Sequence, residues 1–283
     1  MITWPENLKK EVARRRAVFF IGSGVSASAS SENGSKLPTW PDFLTGCLDL
    51  IHDDNHRENI TELIEKKNYL TALQGIYNFT DKSDYLDHLR SCFLKNDFVN
   101  FPLHEIIFDL DLRVVITTNF DKIYENYCNQ FSKDGYTVLN YDNKNLGDII
   151  RSDERLIIKA HGCINSPKDI IFTRSQYHKA KKDHPWFYEL LKAIFLTHTC
   201  VFIGCGMEDP DILLALEDVK ITSSSEKPHY FLTLKNSLNP IYETELLETY
   251  NTKALEYEPN HQALERSLMA LREEVQALRE VNV

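Results

Sequence analysis

Short apolar runs that stop at glycine or small polar residues recur along this sequence, separated by segments whose apolar residues fall three and four apart. Val18-Phe19-Phe20-Ile21 stops at Gly22-Ser23-Gly24, and Leu112 to Ile116 stops at Thr117-Thr118-Asn119-Phe120-Asp121. Leu156 to Lys159 stops at Ala160-His161-Gly162, and Thr199 to Ile203 at Gly204-Cys205-Gly206. A short apolar run closed by glycine fits a strand buried on both faces of a parallel sheet better than a helix. Tyr230 to Leu234 and Ala254 to Tyr257 extend the set. The segments between read as helices: 1–16, 121–131, 174–182, 185–197, and one opening at Asp209-Pro210, an N-cap followed by proline in the first turn. Residues 42–110 read as helical throughout, from DFLTGCLDLIH to DYLDHLRSCF.

Strands alternating with helices predict an α/β protein with a doubly wound parallel sheet. Ligands bind such sheets at the carboxyl ends of the strands, near the point where strand order reverses, so four separate strand ends become one candidate site. Gly22-Ser23-Gly24-Val25-Ser26-Ala27 fits GxGxxA, a pattern that lets a backbone approach a pyrophosphate but that also serves as a plain strand–turn–helix corner. The acidic residue that a dehydrogenase places about 20 positions later would be Asp42, which instead follows Trp40-Pro41 at a helix start. Asn119 and Asp121 follow a buried strand and can reach ligand hydroxyls, with helix capping by Asp121 as the plainer reading. His161 at a strand end is a candidate base, with a satisfied structural histidine as its alternative. Gly204 to Asp209 is a second glycine-rich strand end, suited to the adenosine end of a dinucleotide or to a tight turn alone. The expected architecture is a Rossmann-like core over about 1–41 and 111–258, a helical insertion after the first strand over about 42–110, and a C-terminal helix over about 259–280, all in one domain.

Charge and cysteines narrow the class. Asp plus Glu (42) outnumber Lys plus Arg (32), for a net charge of −10, and such a surface repels a phosphate backbone. The run Arg14-Arg15-Arg16 is a local exception and reads as a solvated helix face. None of the six cysteines is paired as CxxC, which argues against a zinc module and a disulfide framework and for a reducing cytoplasm. No stretch approaches a membrane span, and the first residues lack the order of a secretory signal. Cys163 and Cys205 lie near the candidate site but have no base beside them in the pattern, and read as packing.

Taken in order, Gly22-Ser-Gly-Val-Ser26, Leu37-Pro38-Thr39-Trp40, Thr118-Asn119-Phe120-Asp121, His161-Gly162 and the turn at Gly204 resemble the sirtuin superfamily over roughly residues 17–215. The resemblance implies that Gly22, Ser23, Gly24 and Ser26 cradle the pyrophosphate of NAD, and that Trp40 covers the nicotinamide and the reactive ribose carbon. It implies that Thr118, Asn119 and Asp121 orient ribose and nicotinamide, that His161 is the general base, and that Gly204, Gly206 and Asp209 meet the adenine ribose. The paired zinc cysteines of sirtuin deacylases are absent, and the pattern is closer to the zinc-free, sirtuin-like NADases of bacterial antiphage defence. The implied activity is hydrolysis of NAD, as substrate, at its nicotinamide–ribose bond, with Asn119, His161 and Asp121 as catalytic residues and no metal. The alternatives are an NAD-dependent deacylase or ADP-ribosyltransferase, and a non-enzymatic sensor of NAD or ADP-ribose; a pure sensor needs neither Asn119 nor His161. Such an activity needs control. Leu264, Leu268, Leu271, Val275 and Leu278 form a narrow a/d seam that suggests a homo-oligomer, or else a helix packing back on its own sheet, and residues 258–283 leave no room for a second domain. The expected controller is a separate partner, a motor ATPase or a phage protein.

Overall fold

In the computed structural model every residue is described except Asn96, Glu208, Ser224, Asn282 and Val283, with His261 described for its backbone alone. The strands are β1 (Ala17–Ile21), β2 (Ser30–Ser31), β3 (Phe98–Asn100), β4 (Val114–Thr117), β5 (Thr137–Asn140), β6 (Leu156–Lys159), β7 (Thr199–Ile203), β8 (His229–Leu234) and β9 (Thr252–Tyr257). Seven of them form one sheet in the order β5-β6-β4-β1-β7-β8-β9, and every pairing in it is parallel. From β1 the chain builds outward through β4, then crosses back after β6 to lay β7 on the other side of β1. The order therefore reverses at β1, and the carboxyl ends of β1, β4, β6 and β7 share one edge.

The helices are α1 (Glu6–Ala13), α2 (Ser23–Ser26), α3 (Trp40–Cys47), α4 (Asp54–Glu65), α5 (Tyr69–Phe79), α6 (Lys82–Phe93), α7 (Pro102–Asp109), α8 (Ile123–Phe131), α9 (Leu146–Ile149), α10 (Arg174–Asp183), α11 (Pro185–Thr197), α12 (Pro210–Thr222), α13 (Pro240–Glu248) and α14 (His261–Val281). Successive strand residues point to opposite faces. Phe19, Ile21, Val115, Ile157 and Val201 pack toward the side of α1, α7 and α14, while Val18, Phe20, Ile116, Ile158 and Phe202 pack toward α10, α11 and α12. Both faces are covered, which is why the strands read as unbroken apolar runs rather than alternations.

Two local expectations are revised, and one of the two readings of α14 is chosen. The block 42–110 is not helical throughout: β3 lies inside it and pairs antiparallel with β2, which falls in the polar stretch 28–36. Two or three residues are too few to print a period on a sequence. The edge strand β5 and the helix α13 were also unmarked; β5 is half-buried at three of its four positions, so its run is not continuously apolar. The a/d seam of α14 is filled by its own chain, since Leu264, Leu268, Leu271 and Val275 sit in the same cluster as Leu8, Val12, Leu103 and Ile107. Trp4 Nε1 donates to the Ser267 carbonyl (2.8 Å), Arg272 pairs with Asp109 (2.8 Å), and the Arg279 guanidinium donates to the Ala13 and Leu110 carbonyls (3.0 Å each), closing α14 onto α1 and α7. The basic run is divided likewise: Arg15 pairs with Asp111 and Arg16 with Glu11.

Leu271 is fully buried at that junction. Leu271→Ala is expected to cost about 2–5 kcal/mol through lost transfer energy and the cavity left behind. A urea titration should show a lower midpoint at unchanged slope; an unmoved midpoint removes α14 from the core.

Candidate active site

The two glycine turns at the ends of β1 and β7 press against each other. A Cβ on Gly22 would lie 2.5 Å from the Gly204 carbonyl oxygen, and one on Gly24 would lie 2.8 Å from the Gly204 Cα. Gly204 itself has φ +64°, and its Cβ would meet the Val25 nitrogen at 2.6 Å. Gly24 N–H donates to the Gly204 carbonyl (3.0 Å) and Gly22 N–H to the Ile203 carbonyl (2.9 Å). The glycines expected at a pyrophosphate thus serve close packing of two turns, and these two amides are committed. Ser23 and Gly206 remain exposed on the cleft wall between the turns.

Asn119 stands at the end of β4, where its backbone N–H is held by Thr117 Oγ1 (3.0 Å), which in turn donates to the Ile21 carbonyl (2.9 Å). Its side-chain Nδ2 donates to the Gly22 carbonyl (2.9 Å) and to Ser26 Oγ (2.8 Å). A carbonyl oxygen can only accept, so the amide orientation is fixed and Oδ1 is left without a protein partner among the described residues. Ser26, expected at the pyrophosphate, spends its hydroxyl hydrogen on Asp121 Oδ2 (2.8 Å). Asp121 Oδ1 accepts from Ile123 N–H (2.9 Å) at the start of α8. Asp121 therefore holds the first amide of α8 and braces Ser26, and through Ser26 it orients Asn119. Thr118 lines the cleft half-buried, with no committed side-chain bond among the described residues.

His161 follows β6, and its Nε2 lies 3.0 Å from Asp209 Oδ2. Asp209, expected at the adenine ribose, is paired with the histidine. Its other oxygen accepts from the N–H groups of Asp211 and Ile212 (3.0 Å each) as the N-cap of α12, and Tyr177 Oη donates to Oδ2 (2.9 Å). Burial raises the Asp209 carboxyl, but the positive charge and hydrogen bond of His161, the Ile212 amide and the Tyr177 hydroxyl outweigh it and hold the acid below its ordinary 3.8. The carboxylate being an acceptor only, a neutral His161 carries its hydrogen on Nε2 and keeps Nδ1 as the lone-pair nitrogen.

These residues line one cleft of roughly 400 Å³. Its apolar wall is aromatic: Trp40 lies 4.5 Å from Phe172 between ring centroids and stacks on Tyr69 at 6.3 Å, while Phe120 meets Phe172 edge-on at 4.6 Å. Trp40 is aimed by a capping box in which Thr39 and Asp42 satisfy each other's amides, so Asp42 is a helix cap and no ribose ligand. Lys67 and Arg174 reach the rim from the loop before α5 and the start of α10, as cations in a chain of net charge −10. Sequence reasoning missed both, and Tyr177 too; Arg174 follows the capping residue Thr173, and nothing in its helical spacing sets it apart. Cys205 donates to the Phe20 and Ile203 carbonyls (3.5 Å each), and burial pushes its thiol up to about 12, where it stays protonated and a poor nucleophile. Among the described residues no group of three or more His, Cys, Asp or Glu could hold a metal ion.

A protein-family model described as the SIR2-like domain matches residues 113–255, half of the chain, including Asn119, His161 and Asp209. The chain belongs to the SIR2-like family. Among curated proteins, this SIR2-like chain is 26% identical over 239 residues to the NAD(+) hydrolase ThsA of Enterococcus faecium, covering 81% of this chain and 45% of that protein. It is 26% identical over 245 residues to the Defense-associated sirtuin 2 of Bacillus subtilis, covering 85% of this chain and 22% of that protein. The NAD(+) hydrolase ThsA of Bacillus cereus (strain MSX-D12) matches at 22% over 237 residues, with 83% and 46% covered. The SIR2-like chain thus spans less than half the length of each of these relatives.

The depressed Asp209 acid ties stability to pH. A carboxyl that ionises more readily folded than unfolded stabilises the fold above its unfolded value, near 3.8, and loses that contribution as pH falls through the folded value. Asp209→Asn keeps a capping side chain but has no charge to titrate. Wild type should therefore exceed Asp209→Asn in stability at pH 6, with the gap narrowing below pH 3.8. A gap independent of pH in denaturant titrations would show that the ion pair contributes nothing.

Proposed function

We propose that this SIR2-like domain hydrolyses NAD at the nicotinamide–ribose bond, giving nicotinamide and ADP-ribose. One observation carries the reading. Asn119 with its unspent Oδ1, and His161 with its orientation set by Asp209, line the same cleft where strand order reverses. The cleft volume falls in the range of about 300–1,000 Å³ usual for small-molecule sites. The names of the similar proteins, two of them NAD(+) hydrolases and one a defense-associated sirtuin, support the same substrate and a role in defence.

Nicotinamide leaves as a neutral base by taking the electron pair of the glycosidic bond, and positive charge develops on the ribose. The Asn119 carbonyl dipole is preorganised to meet that charge, held from behind by Gly22 and Ser26. A water attacks the ribose carbon and passes its proton to His161 Nδ1, with the resulting imidazolium stabilised by Asp209. Trp40, Phe120 and Phe172 supply the apolar wall for the nicotinamide ring, and Ser23, Gly206, Arg174 and Lys67 the polar and cationic rim for the pyrophosphate. Asp121 acts through Ser26 and Asn119 rather than on the sugar. No helix among the described residues is long and apolar enough to cross a membrane. Control by assembly, with further copies or a separate protein, belongs to the same reading, because unchecked hydrolysis would empty a cell of NAD.

Purified protein given NAD should release nicotinamide without an acyl peptide. His161→Ala and Asn119→Ala should each lower the rate about 100-fold or more in protein that still folds, at midpoints lowered by the unpaired Asp209 carboxylate or Gly22 carbonyl. Release that requires an acylated peptide would replace hydrolysis with acyl or ADP-ribosyl transfer. Tight NAD binding with no release, in the presence of cell extract as well as alone, would make the domain a sensor.

A further inference from the structure

Lys159 is the last residue of β6, two before His161, and its side chain is only 2% exposed. Its ammonium lies 3.0 Å from Glu125 Oε2 on α8, whose side chain is 7% exposed, and it donates to the Asp121 backbone carbonyl at 2.5 Å. The next carbonyl back, Phe120, accepts from Ile164 N–H (2.9 Å), in the turn after His161-Gly162. Two successive carbonyls of the loop that carries Asn119 are thus tied to the segment that carries His161. On its other side the same loop is held by Gly22 and Ser26, from the β1 turn.

A buried ion pair is a poor device for stability. Desolvating both charges costs about as much as their attraction returns, and apolar residues of similar volume commonly replace such pairs without loss. What methylenes cannot supply is a donor aimed at a carbonyl. We propose that Lys159 is a positioning residue: neutralised by Glu125, it fixes the Asp121 carbonyl to the end of β6 and so sets the spacing between Asn119 and His161. Its consequence for turnover rests on the NAD-cleaving reading, while the bracing of the loop does not.

Lys159→Met alone leaves the buried Glu125 carboxylate only the more exposed Lys122, 3.7 Å away, and is expected to lose stability. The deciding variant is Lys159→Met/Glu125→Leu, which removes both charges at similar volume. It should fold cooperatively, with a midpoint lowered only by the unpaired Asp121 carbonyl. Hydrogen exchange should nevertheless quicken at the amides of residues 119–123, two of which are held by Thr117 Oγ1 and Asp121 Oδ1, while the sheet stays protected. The kcat for nicotinamide release should fall about 100-fold with KM little changed, as for a misplaced rather than a missing group. Unchanged protection at 119–123, or wild-type kcat, overturns the proposal. Uniform loss of protection across the sheet assigns the pair to fold stability and overturns it as well. If wild type releases no nicotinamide, the catalytic reading fails and the exchange pattern alone decides the bracing.

Discussion

The site depends on how the polar atoms at a parallel sheet's carboxyl edge are satisfied. Strand ends leave carbonyls without ladder partners, and an unpaired buried carbonyl is costly. Here the Gly22 carbonyl is met by the Asn119 carboxamide, the Ile21 carbonyl by Thr117, and the Asp121 carbonyl by Lys159. Each bond that completes the sheet edge also orients a side chain of the site. Asn119 cannot turn to a ligand with its amide end without leaving Gly22 exposed, so only its oxygen is offered. The chemistry follows from a backbone requirement.

The same economy governs His161. Asp209 must cap α12, and the geometry of that cap leaves Oδ2 directed at the imidazole and at Tyr177. A helix start, a buried phenol and a candidate base therefore share one carboxylate. The phenol is buried well enough that its own acid is pushed far up, so it remains a donor at any physiological pH.

Much of this was legible in residues alone. Continuous apolar runs closed by glycine or small polar residues marked β1, β4, β6 and β7, because strands covered on both faces leave no room for alternation. The sheet edge rule then grouped Asn119, Asp121, His161 and the Gly204 turn, although their spacing in the chain gives no hint of contact. Roles were less legible than membership. Asp209 and Ser26 were placed in the site but aimed at the ligand, whereas in the fold they face His161 and Asp121; such pairings arise only when distant turns meet. Lys159 was hidden as the final letter of an apolar run, since nothing local distinguishes a lysine that ends a strand from one reaching solvent. The stripe on α14 was readable, but a stripe carries no mark of whether its partner lies in the same chain, and here α1 and α7 fill it. The short strands β2 and β3 were below the length at which a period exists.

The helices that interrupt the sheet after β1 are not an appendage. Phe43, Ile60, Ile76 and Tyr85 belong to one apolar cluster with Phe120, Ile164 and Phe172, and Trp40 packs against it. The cleft's hydrophobic wall is thus the outer layer of that cluster, and close-packed interiors transmit volume changes rather than absorb them. Exchanging or shortening these helices would reshape the ligand chamber directly, so the insert and the chamber can drift only in concert, and grafting one without the other would leave an ill-fitting enclosure.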